Sequence, residues 1–274
     1  MTAAQGVPGP LSGSTRLYAI VGDPIAQVAS PQLFNTAFRK RCVDAVLVPL
    51  HAAPGALRLV IDSFRAIRNF DGLIVTVPHK IAATEWVDEL GPRARLTGAL
   101  NTIRKGDDGR LIGENFDGEG FIRGLASRGH TLTGRRVLVI GAGGAGCAVA
   151  HAIAAAGAEA IGLFDIEARR AQVLVDGIKA RQLGIDVFEG KPEAAGFDVI
   201  VNCTSIGMRT DDPLPVDLTH LASHALVADI ILKPVMTPLL LAAQARGCAT
   251  HQGPAMLEGQ IDAVLDFFAV RTQT

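Results

Sequence analysis

Lys80 is the first residue of this chain that asks for a chemical explanation. It closes the stretch GLIVTVPHK, in which Gly72 to Val77 has the composition of a strand covered on both faces. Pro78 ends the pairing, because it has no N–H to give the ladder. An ammonium at the C-terminal mouth of an apolar strand stands where open α/β sheets bind ligands. In a partly desolvated cleft a lysine pKa falls toward neutrality, which suits it to take a proton from a hydroxyl. Taken alone, Lys80 reads equally well as a solvated residue in the first turn of a helix. Asp117, at the head of GEGFIRGLASRG, reads alone as a helix N-cap. Beside an amine it would hold the ammonium and trade protons with it, the two titrating as one unit.

A second constellation is a glycine turn. Gly141, Gly143 and Gly146, with Gly144 and Ala145 between them, make G-x-G-x-x-G directly after VLVI and before an Ala-rich helix. The first glycine makes the tight turn, the second admits a pyrophosphate to the backbone, and the third allows close helix–strand packing. The helix N-terminus adds free N–H groups and partial positive charge. Asp165 ends the next strand about 20 residues on, where a ribose-binding acid belongs. A carboxylate there accepts both ribose hydroxyls of NAD and repels the 2′-phosphate of NADP. Arg169 and Arg170 are the residues that would rescue NADP binding, or else pair with Glu167 or Asp165. The reading is NAD in preference to NADP.

The elements that must position these groups alternate in type. Strands read at 16–22, 45–50 and 72–77 are separated by helices at 30–41, with Ser30 as N-cap and Pro31 at the first position, and at 54–67. That order argues for a parallel sheet with helical crossovers. Residues 98–115 differ, two short strands flanking a GDDG turn as a hairpin. After a connecting helix at 116–129 comes strand, glycine turn and helix over 135–157, then strands at 160–165, 198–203 and 225–230. An amphipathic helix closes the chain at 258–270. The expected fold is α/β with two units facing each other across a cleft.

Composition narrows the function classes. The chain has 274 residues, 49% hydrophobic and 19% charged, with a formal net charge of −1. Near-neutral charge argues against a nucleic-acid or anionic-membrane surface, and no apolar run approaches the ~20 residues of a membrane span. The first fifteen residues carry neither a basic nor an apolar leader segment and read as a frayed lead-in. The four cysteines lie far apart and the histidines lack ligand spacing, which argues for buried thiols, no metal, and a cytoplasmic setting.

Set beside the glycine turn, Lys80, Asn101 and Asp117 give the sequence a further meaning. It resembles the shikimate and quinate dehydrogenase family in GDPIAQVASPQLFN (22–35), VTVPHK (75–80), GALNT (98–102), GENFDGEG (113–120), GAGGAG (141–146), NCTSIGM (202–208), TPLL (237–240) and MLEGQ (256–260). The resemblance spans nearly the whole chain. It implies a substrate domain over 1–115, rejoined by the C-terminal helix at about 254–274, and a Rossmann-type NAD(P) domain over 116–253. It makes Lys80 and Asp117 the catalytic pair and Ser30, Thr76, Asn101 and Gln260 the substrate contacts. It places Thr204, Ile206, Gly207 and Met208 beside the nicotinamide, although Met208 reads equally as core packing. The implied substrate is a small carboxylated cyclitol and the implied assembly a monomer or homodimer.

The pattern breaks where the substrate should sit. Val28 and Ile74 stand where family members usually carry serine and asparagine, Leu232 where they carry tyrosine, Phe116 where they carry threonine, and Gln27 where a histidine is common. Losing a donor to a charged or buried group costs roughly 1.5–3 kcal/mol, some ten- to hundredfold in affinity. His79 is either a compensating donor beside Lys80 or an exposed helix-start residue. Two other readings stand beside the main one: a paralogue for a different, less polar hydroxy acid, and a non-catalytic dinucleotide-binding regulator.

Overall fold

A computed structural model describes residues 11–209 and 211–270, so most of the lead-in lies outside the described residues. The chain divides into two compact units, Met1–Phe116 with Ile261–Thr274, and Asp117–Gln260.

The first unit is built on β1 (Arg16–Gly22), α1 (Ser30–Lys40), β2 (Ala45–His51), α2 (Leu57–Ala66), β3 (Phe70–Val75), β4 (Glu89–Leu90), α3 (Pro92–Thr97), β5 (Thr102–Lys105) and β6 (Leu111–Glu114). The sheet order is β2-β1-β3-β5-β6-β4. β1 pairs in parallel with β2 and β3, while β5 enters antiparallel to β3 and forms the expected hairpin with β6. Pro49 is tolerated inside β2 because that strand lies at the edge. Both faces are covered: Ala19 and Val21 pack with Leu57, Ile61 and Phe64, and Tyr18 and Ile20 pack with Phe34, Phe38, Val264 and Leu265. Successive strand residues point to opposite faces, so this accounts for the unbroken apolar runs.

Three details differ from expectation. Helix α1 starts one residue early, because Leu33 N–H reaches the Ala29 carbonyl at 3.3 Å. Ala29 is therefore the cap, and Ser30 is a buried first-turn residue whose hydroxyl makes no capping bond. The run at 54–67 is a 3₁₀ turn (Pro54–Ala56) followed by α2. Strand β3 ends at Val75, and Val77 beyond it is exposed with its carbonyl taken by Asp23 N–H.

The second unit holds α4 (Asp117–Ser127), β7 (Arg136–Ile140), α5 (Gly144–Ala155), β8 (Ala160–Phe164), α6 (Ala168–Lys179), β9 (Asp186–Glu189), β10 (Val199–Asn202), β11 (Leu226–Asp229), α7 (Pro238–Gln244), β12 (Ala249–His251) and the first half of α8 (Pro254–Phe267). All pairs are parallel, in the order β12-β11-β10-β7-β8-β9. Counted from β7, that is 3-2-1-4-5-6 written backwards, the doubly wound dinucleotide order. β9 and β12 escaped the sequence reading because they are short and partly exposed. The glycines of DGEG and LEGQ are contact points. A Cβ on Gly118 would lie 2.4 Å from the Ala148 carbonyl oxygen of α5, and one on Gly259 would lie 2.4 Å from that of Gly120.

Two histidines of this unit are buried and neutral. His151 Nδ1 and His251 Nε2 find no hydrogen-bond partner among the described residues, and burial lowers both pKa values to about 4. The unfolded chain takes up these protons near pH 6.5 while the folded chain resists until about pH 4, so stability falls as pH drops through that window. Each histidine should cost roughly 2 kcal/mol by pH 5. Denaturant titrations at pH 7.5 and pH 5 check this, and His251→Phe should flatten the difference by about half.

Among the described residues, no helix is long and apolar enough to cross a membrane.

Candidate active site

The glycine turn is held from several sides. Gly141 adopts φ +100°, and a Cβ there would meet the Cys203 backbone at 3.0 Å. On Gly146 it would lie 1.9 Å from the Gly141 carbonyl oxygen, whereas on Gly143 it would meet nothing within 4 Å. Two glycines are thus demanded by the protein's own backbone, and the third leaves open room at the start of α5. The N-cap residue Gly143 supplies no side-chain cap, so the first-turn N–H groups, those of Gly144 and Ala145 among them, have none to satisfy them. Asp165 Oδ2 accepts the Ala142 N–H at 2.7 Å and Oδ1 accepts the Glu167 N–H at 2.9 Å. Each oxygen keeps a second lone pair for a ligand hydroxyl. Arg170 is paired with Glu167 at 2.8 Å. These features fit a dinucleotide: a cradle for the pyrophosphate and an acid for a ribose.

The loop after β10 lies on the other side of the switch point between β7 and β10. Asn202, fully buried, donates through Nδ2 to the Ile206 carbonyl at 3.0 Å and accepts at Oδ1 from the Thr204 N–H and hydroxyl at 3.0 and 2.7 Å. Asp212 takes the N–H groups of Gly207 and Arg209. Ile206 and Met208 are exposed. The core-packing reading of Met208 is therefore wrong, because the loop turns that side chain to solvent.

In the first unit, Thr76 and half-buried Lys80 follow β3 directly. Asn101 is buried and its carboxamide orientation is fixed. Its Oδ1 accepts the Phe116 N–H at 3.0 Å and the Thr102 hydroxyl at 2.9 Å, and an N–H donor cannot face an NH₂ group. Asp117, buried, follows Phe116 in the chain and opens α4. Glu114 braces the same turn by accepting the N–H groups of Ala94 and Asn115 at 2.8 and 3.0 Å. Gln260 is buried on α8 beside Gly120.

His79 answers to neither expectation. It is 1% exposed and its Nε2 donates to the Ala52 carbonyl at 2.8 Å. A carbonyl can only accept, so the ring is committed as a brace for the turn that carries Lys80. Ile74, Phe116 and Val28 share one apolar cluster with Ile20, Ile25 and Phe267, and Arg93 lies 5.2 Å over the Phe116 ring. Leu232 belongs to the second unit. Burial raises the Cys147 thiol to about 11 and lifts that of Cys203 well above its ordinary value, as filler residues should behave. Cys42 departs from that reading: it is exposed, at φ +52° after α1.

Comparison with known proteins bears on all of this. The sequence model described as shikimate dehydrogenase substrate binding domain matches residues 20–103. The shikimate dehydrogenase (NADP(+)) of Rubrobacter xylanophilus is 38% identical over 251 residues, 90% of this chain and 88% of that protein. The chain belongs to the shikimate/quinate dehydrogenase family. Enzymes of this shikimate/quinate dehydrogenase kind are NAD(P)-dependent oxidoreductases acting on a CH–OH group. The crystal structure of shikimate 5-dehydrogenase from Listeria monocytogenes, in complex with shikimate and NAD, superposes with a TM-score of 0.84 at 28% identity, covering 97% of this chain and 96% of that one. The ligand-free 5-ketofructose reductase of Gluconobacter sp. strain CHM43 gives 0.81 at 28% identity, with 95% of each chain covered. The α/β, two-domain, Rossmann-type reading is therefore correct.

Sequence reasoning missed the buried polar braces of this shikimate/quinate dehydrogenase relative, Asn202, Asp229, Thr237 and Glu114, and misread His79. Asn202 and Thr237 lie in the NCTSIGM and TPLL stretches, but a buried polar side chain is invisible until its partners are folded against it.

Proposed function

We propose that the chain catalyses reversible hydride transfer between a ring hydroxyl of a small carboxylated cyclitol and nicotinamide, in the manner of shikimate and 3-dehydroshikimate. The observation that carries the reading is the retention of Lys80 after β3 and Asp117 at the start of α4 in a chain of this family. Nicotinamide, when bound, supplies the hydride acceptor. Lys80 takes the hydroxyl proton as the carbonyl forms, and Asp117 is its acidic partner. Ser30, Thr76, Asn101 and Gln260 bind the substrate's polar groups. The first unit is the substrate domain, and the second holds the dinucleotide through the turn at Gly141–Gly146, Asp165 and the loop bearing Thr204, Ile206 and Met208. A cytoplasmic setting and a monomeric or homodimeric state complete the reading.

NAD is the preferred cofactor in this account. The curated relative is named for NADP(+), but here Asp165 accepts the Ala142 N–H of the turn and Arg170 is engaged by Glu167. A 2′-phosphate beside Asp165 would meet a carboxylate, with the nearby guanidinium already paired. Fluorescence titration should give NADH at least about tenfold tighter binding than NADPH, one lost charge contact being worth that much. Asp165→Asn should narrow the gap. Tighter NADPH binding by the unaltered chain would reverse the assignment.

A second reading is favoured by one observation. Val28, Ile74 and Phe116 share one apolar cluster, Phe116 N–H bonds to Asn101, and a 5-ketofructose reductase is a structural neighbour. A less polar substrate would suit that wall. Nicotinamide absorbance with shikimate, quinate and neutral polyols decides: turnover with the two acids supports the first reading, and turnover with the polyols alone supports the second.

A further inference from the structure

Asp229 sits at the end of β11 with 1% exposure, and among the described residues its carboxylate bonds to Ile231, Asn202 and Thr237 of the second unit. Its Oδ1 accepts the Ile231 N–H at 2.9 Å. Its Oδ2 accepts Asn202 Nδ2 at 3.1 Å and the Thr237 hydroxyl at 2.8 Å. Thr237, fully buried, accepts the Leu240 N–H at 3.3 Å as N-cap of α7. Asn202 in turn grips Thr204 and Ile206. All three donors point at the carboxylate, so the site calls for an ion that only accepts. Burial pushes its pKa up while these three bonds hold it back.

We propose that Asp229, with Asn202 and Thr237, is a positioning device for the nicotinamide half of the cofactor site. Its carboxylate fixes the Thr204–Met208 loop relative to the loop after β11 and the start of α7. This rests on the dehydrogenase reading above. None of the three touches the reacting atoms; they act through Thr204 and Ile206. The device occupies the β10–β11 side of the switch point, whereas the glycine turn and Asp165 lie on the β7–β8 side. The two halves of the dinucleotide should therefore respond differently to its loss.

Asp229→Asn puts an NH₂ group against a donor, and Thr237→Val removes the hydroxyl without changing its shape. For both, binding of ADP-ribose should stay within about twofold of the parent, because the cradle at Gly141–Gly146 is untouched. The fluorescence change of NADH on binding should be lost or reduced, and kcat at saturating cofactor should fall at least about tenfold, the scale of one charged hydrogen bond. Thr237→Ser, which keeps the hydroxyl, should restore both. Parent-like NADH fluorescence and kcat in Thr237→Val overturn the proposal, even if its melting temperature drops. So does loss of ADP-ribose binding in step with NADH binding, which marks a general structural role. The fluorescence arm needs no turnover. An unaltered chain that binds NADH but oxidises no substrate therefore counts against the proposed function alone.

Discussion

Lys80→Ala is expected to lower kcat by about 10²–10⁴ while leaving NADH affinity within about twofold, the range that a positioned general base supplies. Lys80 stands in the turn beyond the C-terminal end of β3, outside the glycine turn and outside both described clusters of its unit's core. Its loss should therefore not unfold the domain. The turn that carries it is held by other bonds: His79 Nε2 to the Ala52 carbonyl, and Leu100 N–H to the Lys80 carbonyl at 2.9 Å. Lys80→Met would serve as a shape-matched companion. Steady-state rates with the best substrate, paired with a thermal melt, separate the chemistry from the fold. Unchanged turnover would remove Lys80 from the mechanism.

The second large effect concerns recognition. Ile74→Asn combined with Val28→Ser should raise kcat/KM for shikimate by about ten- to hundredfold for each donor that finds the substrate. The same pair should destabilise the free protein. Ile74 is 9% exposed and packs with Phe116 and Ile20, and a buried amide without a partner costs roughly 1–3 kcal/mol. Two opposed changes, better catalysis and a lower melting temperature, identify a pocket that has exchanged hydrogen bonds for packing. A loss of stability with no gain for shikimate would mean that Ile74 and Val28 only pack.

Much of this was legible in the residues, for identifiable reasons. The strand–glycine–helix unit declares itself because its constraints are local: a Cβ on Gly146 collides with the carbonyl of Gly141 in the same turn. The GDDG hairpin is local too, with Gly106 N–H bonded to the Arg110 carbonyl at 2.8 Å. Lys80 and Asp117 become chemical only in combination. What failed was the environment of single polar residues. Ser30 is buried where a cap was expected, and His79 is buried and bonded to Ala52 where an exposed ring or a compensating donor was expected. For His79 the deciding partner is distant in sequence, whereas for Ser30 it is one extra helical bond, Leu33 N–H to the Ala29 carbonyl. The Asn202–Asp229–Thr237 network is the extreme case, since its three members come from three separate elements.

The most direct test of hydride transfer follows the hydrogen itself. Shikimate carrying deuterium on the oxidised carbinol carbon is incubated with the protein and NAD⁺, and the reduced cofactor is weighed by mass spectrometry. Hydride transfer predicts reduced cofactor heavier by one deuterium, formed by the unaltered chain and greatly slowed in Lys80→Ala. Reduced cofactor without the label, or none at all after prolonged incubation, would contradict it.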